Sequence, residues 1–159
     1  MNVSAPDNDR MASVAALSNS FDGVTIILKG ADDVVANQDG VFTIDEMGSP
    51  RRCGGQGDLL TGILATFVSW MHAHQAGVYS AGRSTQGDAR FTVDAREGAG
   101  SLDVPAILLA CCASSVLLKR TARRAFDMKG RSMSASVMVD ALGDVFSESF
   151  DEPLSKKRN

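Results

Sequence analysis

Cysteine is scarce in this chain of 159 residues: there are three, at 53, 111 and 112, an odd count with two of them adjacent in an apolar stretch. That pattern excludes a disulfide framework and leads us to expect a reducing compartment. Positive charge is scarce too, with 16 Lys and Arg against 19 Asp and Glu and a net charge of -3. A nucleic-acid binder normally carries a strongly basic face, so no nucleic-acid partner is expected. Long apolar runs are missing. The longest, "ILLACCASSVLL", contains two serines and ends at Lys119 and Arg120, too short to cross a bilayer, so no membrane partner is expected. The first ten residues hold Asp7, Asp9 and Arg10 with no apolar stretch behind a basic one, so no targeting segment is expected and the location reads as cytoplasmic or mitochondrial. The two histidines, His72 and His74, stand two apart in a helical pattern and so point about 200° apart, which excludes a shared zinc.

What is present is an ordinary globular composition, 44% hydrophobic and 22% charged, at a length that suits one domain and small-molecule partners. No internal repeat is visible. Met11, Val14, Ala15 and Leu17 predict a helix over residues 9–18, closed by Asn19-Ser20 and Asp22-Gly23. The β-branched run "VTIIL" at 24–28 reads as a strand buried on both faces. "VVA" and "VFTI" flank the turn former "NQDG" and predict a hairpin.

Apolar residues at 59, 60, 63, 64, 67, 68 and 71 predict a helix over 58–76 with one buried face and Gly77 as its C-cap. Residues 78–103 lose periodicity and gather Gly, Ser, Asp and Arg, which reads as a surface insertion. A helix from Val104 to about Arg124 follows. Its cations Lys119, Arg120, Arg123 and Arg124 either satisfy the dipole of the helix end or bind phosphate. An amphipathic helix over 133–147 carries Val137, Met138, Leu142, Val145 and Phe146, and residues 151–159 read as a flexible tail.

The richest stretch is "GSPRRCGGQGDLLTG", 48–62. A glycine loop feeding a helix leaves several main-chain N–H groups free at the positive end of the helix dipole, which makes an anion site. Gly54, Gly55 and Gly57 allow close approach of the backbone, and Asp58 falls at a cap or first-turn position. A P-loop would need Lys-Ser/Thr after its last glycine, and a dinucleotide fingerprint would need G-x-G-x-x-G after a strand; "GGQGDL" is neither. An aspartate beside an anion hole suits phosphoryl transfer, with amides stabilising the moving phosphoryl group and the carboxylate deprotonating an attacking hydroxyl. A plain helix N-cap in a tight loop remains the competing reading.

The segment "ILKGADDVVANQDGVFTIDEMGSPRRCGGQGDLLTG", residues 27–62, resembles the ATP-dependent NAD(P)H-hydrate dehydratases of the ribokinase-like superfamily, through its "KGxxD" turn, the hairpin after it and above all "RRCGGQGD". The resemblance implies a ribokinase-like α/β/α layered fold. It also implies repair of hydrated NADH or NADPH: the ring hydroxyl attacks the γ-phosphoryl group of ATP, and the phosphate ester eliminates to restore the nicotinamide.

Carried over by position, the resemblance makes Asp58 the base facing the hydrated nucleotide, with Gly54, Gly55, Gln56 and Gly57 as the anion hole. ATP contacts fall on Lys29, Gly30, Ala31, Asp32 and Asp33, and on Gly48, Ser49, Pro50, Arg51, Arg52, Cys53 and the glycines after them. Cys53 has no histidine partner in sequence and reads as packing rather than as a nucleophile. ATP brings Mg²⁺, which needs few protein ligands.

The resemblance covers the late strands, hairpin, anion-hole helix and terminal helices of the family's domain, so the chain is expected to carry one side of the cleft. It is then either a fragment of a longer product or a shortened, non-catalytic relative. "VTIIL" would leave an open sheet edge unless another chain covered it, which allows a homo-oligomer. A small-molecule kinase and a truncated nucleotide-binding module are the alternatives to the dehydratase.

Overall fold

The computed structural model describes residues 7–75, 90–94 and 101–150. The chain divides into two compact units, Met1–Asp45 with Leu64–Ser114 and Glu46–Ile63 with Ser115–Asn159.

The first unit opens with α1, Asp7–Ser20. Met11 and Val14 lie at helical spacing and pack with Val34 and Ala36 of the sheet, joined by Ile26 and Val41. The helix closes on Ser18, whose carbonyl accepts the Gly23 N–H at 2.9 Å and whose hydroxyl donates to the Val24 carbonyl at 2.8 Å. That reversal uses left-handed backbone at Asp22 (φ 55°) and Gly23 (φ 78°), conformations that asparagine-like residues and glycine tolerate best.

Three antiparallel strands follow in the order β1 (Ile26–Leu28), β2 (Asp33–Asn37) and β3 (Gly40–Ile44). Ile27 is opposite Val35, and Val35 is opposite Phe42. β2 is the centre and every residue of it is buried. Alternation sends Val34 and Ala36 toward α1 and Val35 to the other face, on which Gly40 lies beside Leu108 Cδ1. The hairpin over "NQDG" forms as expected, with Asn37 opposite Gly40 and the Asn37 Oδ1 accepting the Asp39 N–H at 2.8 Å.

The reading of "VTIIL" as a strand buried on both faces is corrected. β1 is only three residues long, Ile26 and Ile27 are half-buried, and Val24 and Leu28 are exposed; among the described residues it pairs with β2 alone. A compact apolar run looks the same whether a strand is covered twice or sits at an edge over one packed layer.

α2 spans Gln56–Gln75, two residues earlier than the apolar pattern indicated, and the expected cap at Gly77 lies outside the described residues. The segment read as a non-periodic insertion holds an antiparallel pair, β4 (Arg90–Asp94) and β5 (Ser101–Pro105).

α3 spans Ala106–Lys129, a short 3₁₀ turn occupies Gly130–Ser132, and α4 spans Ala135–Phe150. In the second unit Leu117, Leu118, Ala122 and Ala125 of α3 are buried, as are Met138, Ala141 and Val145 of α4, spaced three and four apart. No helix among the described residues is long and apolar enough to cross a membrane.

The dipole reading of the α3 cations is also corrected. The helix runs on to Lys129, so Lys119 to Arg124 are interior positions beyond the reach of its last turn. Arg120 instead pairs with Glu46 at 2.8 Å, Arg123 with Asp127 at 3.0 Å and Arg124 with Glu148 at 2.6 Å. These side chains line a polar groove of about 400 Å³ in which three arginines face three carboxylates. The balanced charge removes the electrostatic reason for phosphate to bind there.

Candidate functional site

In the second unit the glycine-rich loop meets α2 at Gly55, whose carbonyl accepts the Leu59 N–H at 3.0 Å and which is therefore the N-cap. Gly55 has φ 86°, and a Cβ built on it would come within 2.8 Å of the Ala135 Cβ at the start of α4. Only glycine fits on both counts. The first residues of two helices, α2 and α4, therefore lie against each other, and each brings the positive end of its dipole.

Among the described residues, none accepts a hydrogen bond from the amides of Gly54, Gly55, Gln56, Gly57 or Asp58. Nothing lies within 4 Å of where a Cβ would stand on Gly54 or Gly57, so both leave open space in front of the backbone. The Gln56 Nε2 is buried and has no partner among the described residues. An unmatched buried donor costs about 1–3 kcal/mol, and an acceptor supplied by a bound phosphate would remove that cost. Free amides, open space and a spare donor together fit an anion.

Asp58 sits in the first turn of α2, three residues after the cap, and is exposed. Its carboxylate makes no hydrogen bond or ion pair among the described residues. The N-cap position is thus held by Gly55, and Asp58 makes no capping hydrogen bond among the described residues.

The loop itself is anchored. Ser49 Oγ accepts the Arg51 N–H at 3.0 Å and lies 3.2 Å from Met133 Sδ, while Cys53 Sγ is 3.9 Å from Met138 Sδ. A side chain on Gly48 would meet Lys119 Cγ at 3.6 Å. Pro50, Arg51 and Arg52 are exposed, and neither guanidinium forms an ion pair among the described residues. Cys53 is half-buried against the Met138 thioether, in keeping with a packing role.

The first unit carries the "KGADD" turn between β1 and β2. Asp33 is fully buried at the start of β2; its Oδ1 accepts the Gly30 N–H at 2.8 Å and its Oδ2 pairs with the Lys29 ammonium. Arg10 Nη2 donates to the Asp32 carbonyl at 3.1 Å, and a Cβ on Gly30 would collide with that guanidinium. Lys29, Gly30 and Asp33 thus fix the turn, and Ala31 is presented at its exposed tip.

Sequence reasoning missed the contacts beneath the loop from Met133, Ala135 and Met138, and it named Lys119 only as a helix-end or phosphate-binding cation, whereas Lys119 is buried and its Nζ donates to the Glu46 carbonyl at 3.2 Å. A helical period placed Met138 on a buried face, but nothing local says what it faces. Among the described residues no three His, Cys, Asp or Glu converge as a metal site, and His72 and His74 are exposed on α2.

A family model described as NAD(P)H-hydrate dehydratase matches residues 2–143. A protein of Ciona intestinalis named ATP-dependent (S)-NAD(P)H-hydrate dehydratase is 37% identical over 94% of this chain and 34% of its own length. Proteins of the same name from Batrachochytrium dendrobatidis and Vitis vinifera are 33% and 32% identical, over 97% and 90% of this chain and 43% and 35% of their own lengths. The chain therefore spans between a third and a half of these relatives. By the match along most of its length, the chain belongs to the NAD(P)H-hydrate dehydratase family, whose fold is ribokinase-like α/β.

Proposed function

We propose that this chain supplies the phosphate-holding and proton-accepting side of an ATP-dependent NAD(P)H-hydrate dehydratase, as the C-terminal portion of a ribokinase-like domain. The observation that carries the reading is the pairing of unbonded amides at Gly54 to Asp58 with an unpartnered Asp58 carboxylate, in a family whose relatives bear that activity in their names.

In this reading the amides of Gly54, Gly55, Gln56 and Gly57, with the Gln56 side-chain amide, take the γ-phosphoryl oxygens, and Arg51 and Arg52 neutralise charge from the exposed rim. Asp58 accepts the proton of the ring hydroxyl as its oxygen attacks phosphorus and ADP leaves. Phosphate then leaves with the electrons of its C–O bond, the neighbouring ring carbon gives its proton to water, and the dihydronicotinamide double bond re-forms. Phosphorylation serves to turn hydroxide, a poor leaving group, into phosphate. Ser49 and Pro50 shape the loop. Lys29 to Asp33 hold the turn that contacts ATP through its backbone and Ala31.

Mg²⁺ would be carried by the triphosphate and water, since no cluster of three protein ligands exists among the described residues. Its chemistry there would be charge neutralisation of the phosphates. The substrates are small, hydrated NADH or NADPH and ATP.

The test is a paired measurement of ATP affinity and of NADH-hydrate consumption with Asp58→Asn. We expect ATP to bind within about 3-fold of wild type, because the amides are untouched, and turnover to fall by about 10²–10⁴, the usual worth of a general base. Undiminished turnover removes Asp58 from the mechanism, and a stable phosphorylated product would instead mark a small-molecule kinase. The second reading is a nucleotide-binding module, for which the unbonded amides of the loop suffice without any role for Asp58. Tight ATP binding by the 159-residue chain without turnover would select it.

A further inference from the structure

The contacts beneath the glycine-rich loop single out residues far away in sequence that no loop motif contains. Three loop positions rest on one short segment at the start of α4: Ser49 on Met133, Cys53 on Met138 and Gly55 on Ala135. Met133 and Met138 are 3% and 0% exposed, so both thioethers are packed rather than draped over the surface. Their own backbone is fixed as well. The Met133 N–H closes the 3₁₀ turn on the Gly130 carbonyl at 3.2 Å, and the Met138 N–H opens α4 on the Ser134 carbonyl at 3.1 Å.

The beginning of the loop is held from the other side. Lys119 of α3 grips the Glu46 backbone carbonyl, and Arg120 grips its carboxylate through Nε at 2.9 Å and Nη2 at 2.8 Å. Both ends of residues 46–55 are thus pinned, while the amides from Gly54 to Asp58 are left unbonded. A backbone cradle stabilises phosphate only to the extent that it holds its shape before the ligand arrives, because a loop that must be ordered on binding loses that entropy from the affinity. Methionine suits such a seat, since its unbranched thioether fills irregular space under a tight loop.

We propose that Met133 and Met138 are positioning residues, forming with Ala135 the seat that preorganises the glycine-rich loop for a triphosphate. The inference rests on the reading of that loop as a phosphate site. The sulfur contacts are a consequence of the seat; shape is its working property, so leucine substitutes for Met138 and alanine does not.

The experiment compares the wild-type 159-residue chain with Met138→Ala, Met138→Leu and Val145→Ala. Two readouts are taken on each: the alkylation rate of Cys53 with iodoacetamide, located by peptide mass spectrometry, and the dissociation constant for ATP. Burial raises the Cys111 and Cys112 thiols to about 11 and about 12, so neither competes at pH 8. Opening of an unseated loop should speed Cys53 alkylation by about 5-fold or more in Met138→Ala. ATP affinity should fall by about 10-fold in the same variant, while Met138→Leu stays within about 3-fold of wild type in both readouts.

Val145→Ala deletes a buried side chain two turns along the same helix, so it should lower the melting temperature without moving either readout. Should Met138→Ala not fold, Met138→Val gives smaller shifts in the same directions. Unchanged Cys53 alkylation in Met138→Ala, or in Met138→Val where it replaces it, overturns the seat, and so does a Val145→Ala variant that behaves like Met138→Ala. A wild-type chain that does not bind ATP overturns the phosphate reading instead, and the alkylation arm still decides whether Met138 seats the loop.

Discussion

The three glycines before Asp58 do different jobs, and a single methyl group separates them. At Gly55 a Cβ would sit in left-handed backbone and 2.8 Å from Ala135, which costs about 1–2 kcal/mol for the conformation and about 1–3 kcal/mol for the overlap. Gly55→Ala should therefore lower the urea midpoint visibly and lose ATP binding with it. Gly57 lies inside the first turn of α2 with open space before it, where alanine gains up to about 1 kcal/mol of helix propensity. Gly57→Ala should thus raise the melting temperature and, on the proposed reading of the loop, still weaken ATP about 10-fold, because its methyl group would stand where that reading places a phosphate oxygen. Stability and affinity moving in opposite directions is the signature of a glycine kept for a ligand; a variant that gains both would show the space in front of Gly57 to be idle. This much was legible in the sequence. Glycine count, the aspartate and the onset of a helix are all local properties, and the amides they predict to be free are free.

At the scale of elements, α3 combines an apolar first half with cations that its dipole does not explain, and its paired thiols give it a pH signature. Burial pushes Cys111 up to about 11, and burial with the neighbouring thiolate pushes Cys112 up to about 12, from 9.0 in an open chain. Both groups have a folded pKa above the unfolded one, so their contribution to stability is complete below about pH 9 and is lost as pH rises toward 11 and 12. The urea midpoint of the wild type should fall more steeply between pH 8 and 10.5 than that of Cys111→Ala/Cys112→Ala; parallel slopes would mean the thiols titrate as if exposed. The helices were legible because a period of 3.6 survives in α2 and α4 without knowledge of any partner. The strands were less so. β1 has the composition of a doubly covered strand yet is half-buried to exposed, and β4 and β5, where "RFTVD" and "SLDVP" alternate over only five residues each, were hidden among Gly, Ser and Asp. Where the end of α3 was placed decided the meaning of four cations. Ending it at Arg124 rather than Lys129 makes an interior ion-pair face look like a dipole cap. The seat under the loop could not be read at all, because Met133 and Met138 lie 84 and 85 residues from their partners and no local pattern encodes such a pairing.

On the scale of the whole molecule, the chain matches its relatives from Ciona intestinalis and Batrachochytrium dendrobatidis over more than nine-tenths of its own length and spans 34% and 43% of theirs. In the first unit, β1 pairs with β2 on one side and with nothing described on the other. Leu17, Phe21, Val24 and Leu28, from the end of α1 through β1, are all exposed, Phe21 at 63%. An apolar edge strand is a template for pairing with another chain, and natural proteins blunt such edges with charge, lysine above all. Lys29 follows β1 immediately, but no charge lies within it. The 159-residue chain should therefore associate with itself as concentration rises, and Leu28→Lys should raise the concentration at which light scattering detects association by about 3-fold or more. Leu28 is 38% exposed and pairs with Val34 through its backbone, so the substitution should cost at most about 1 kcal/mol. ATP affinity should stay within about 3-fold of wild type, since Leu28 precedes the Lys29–Asp33 turn and makes no part of the glycine-rich loop. Association that persists unchanged in Leu28→Lys would mean that some other surface drives it and that the edge of β1 is already protected.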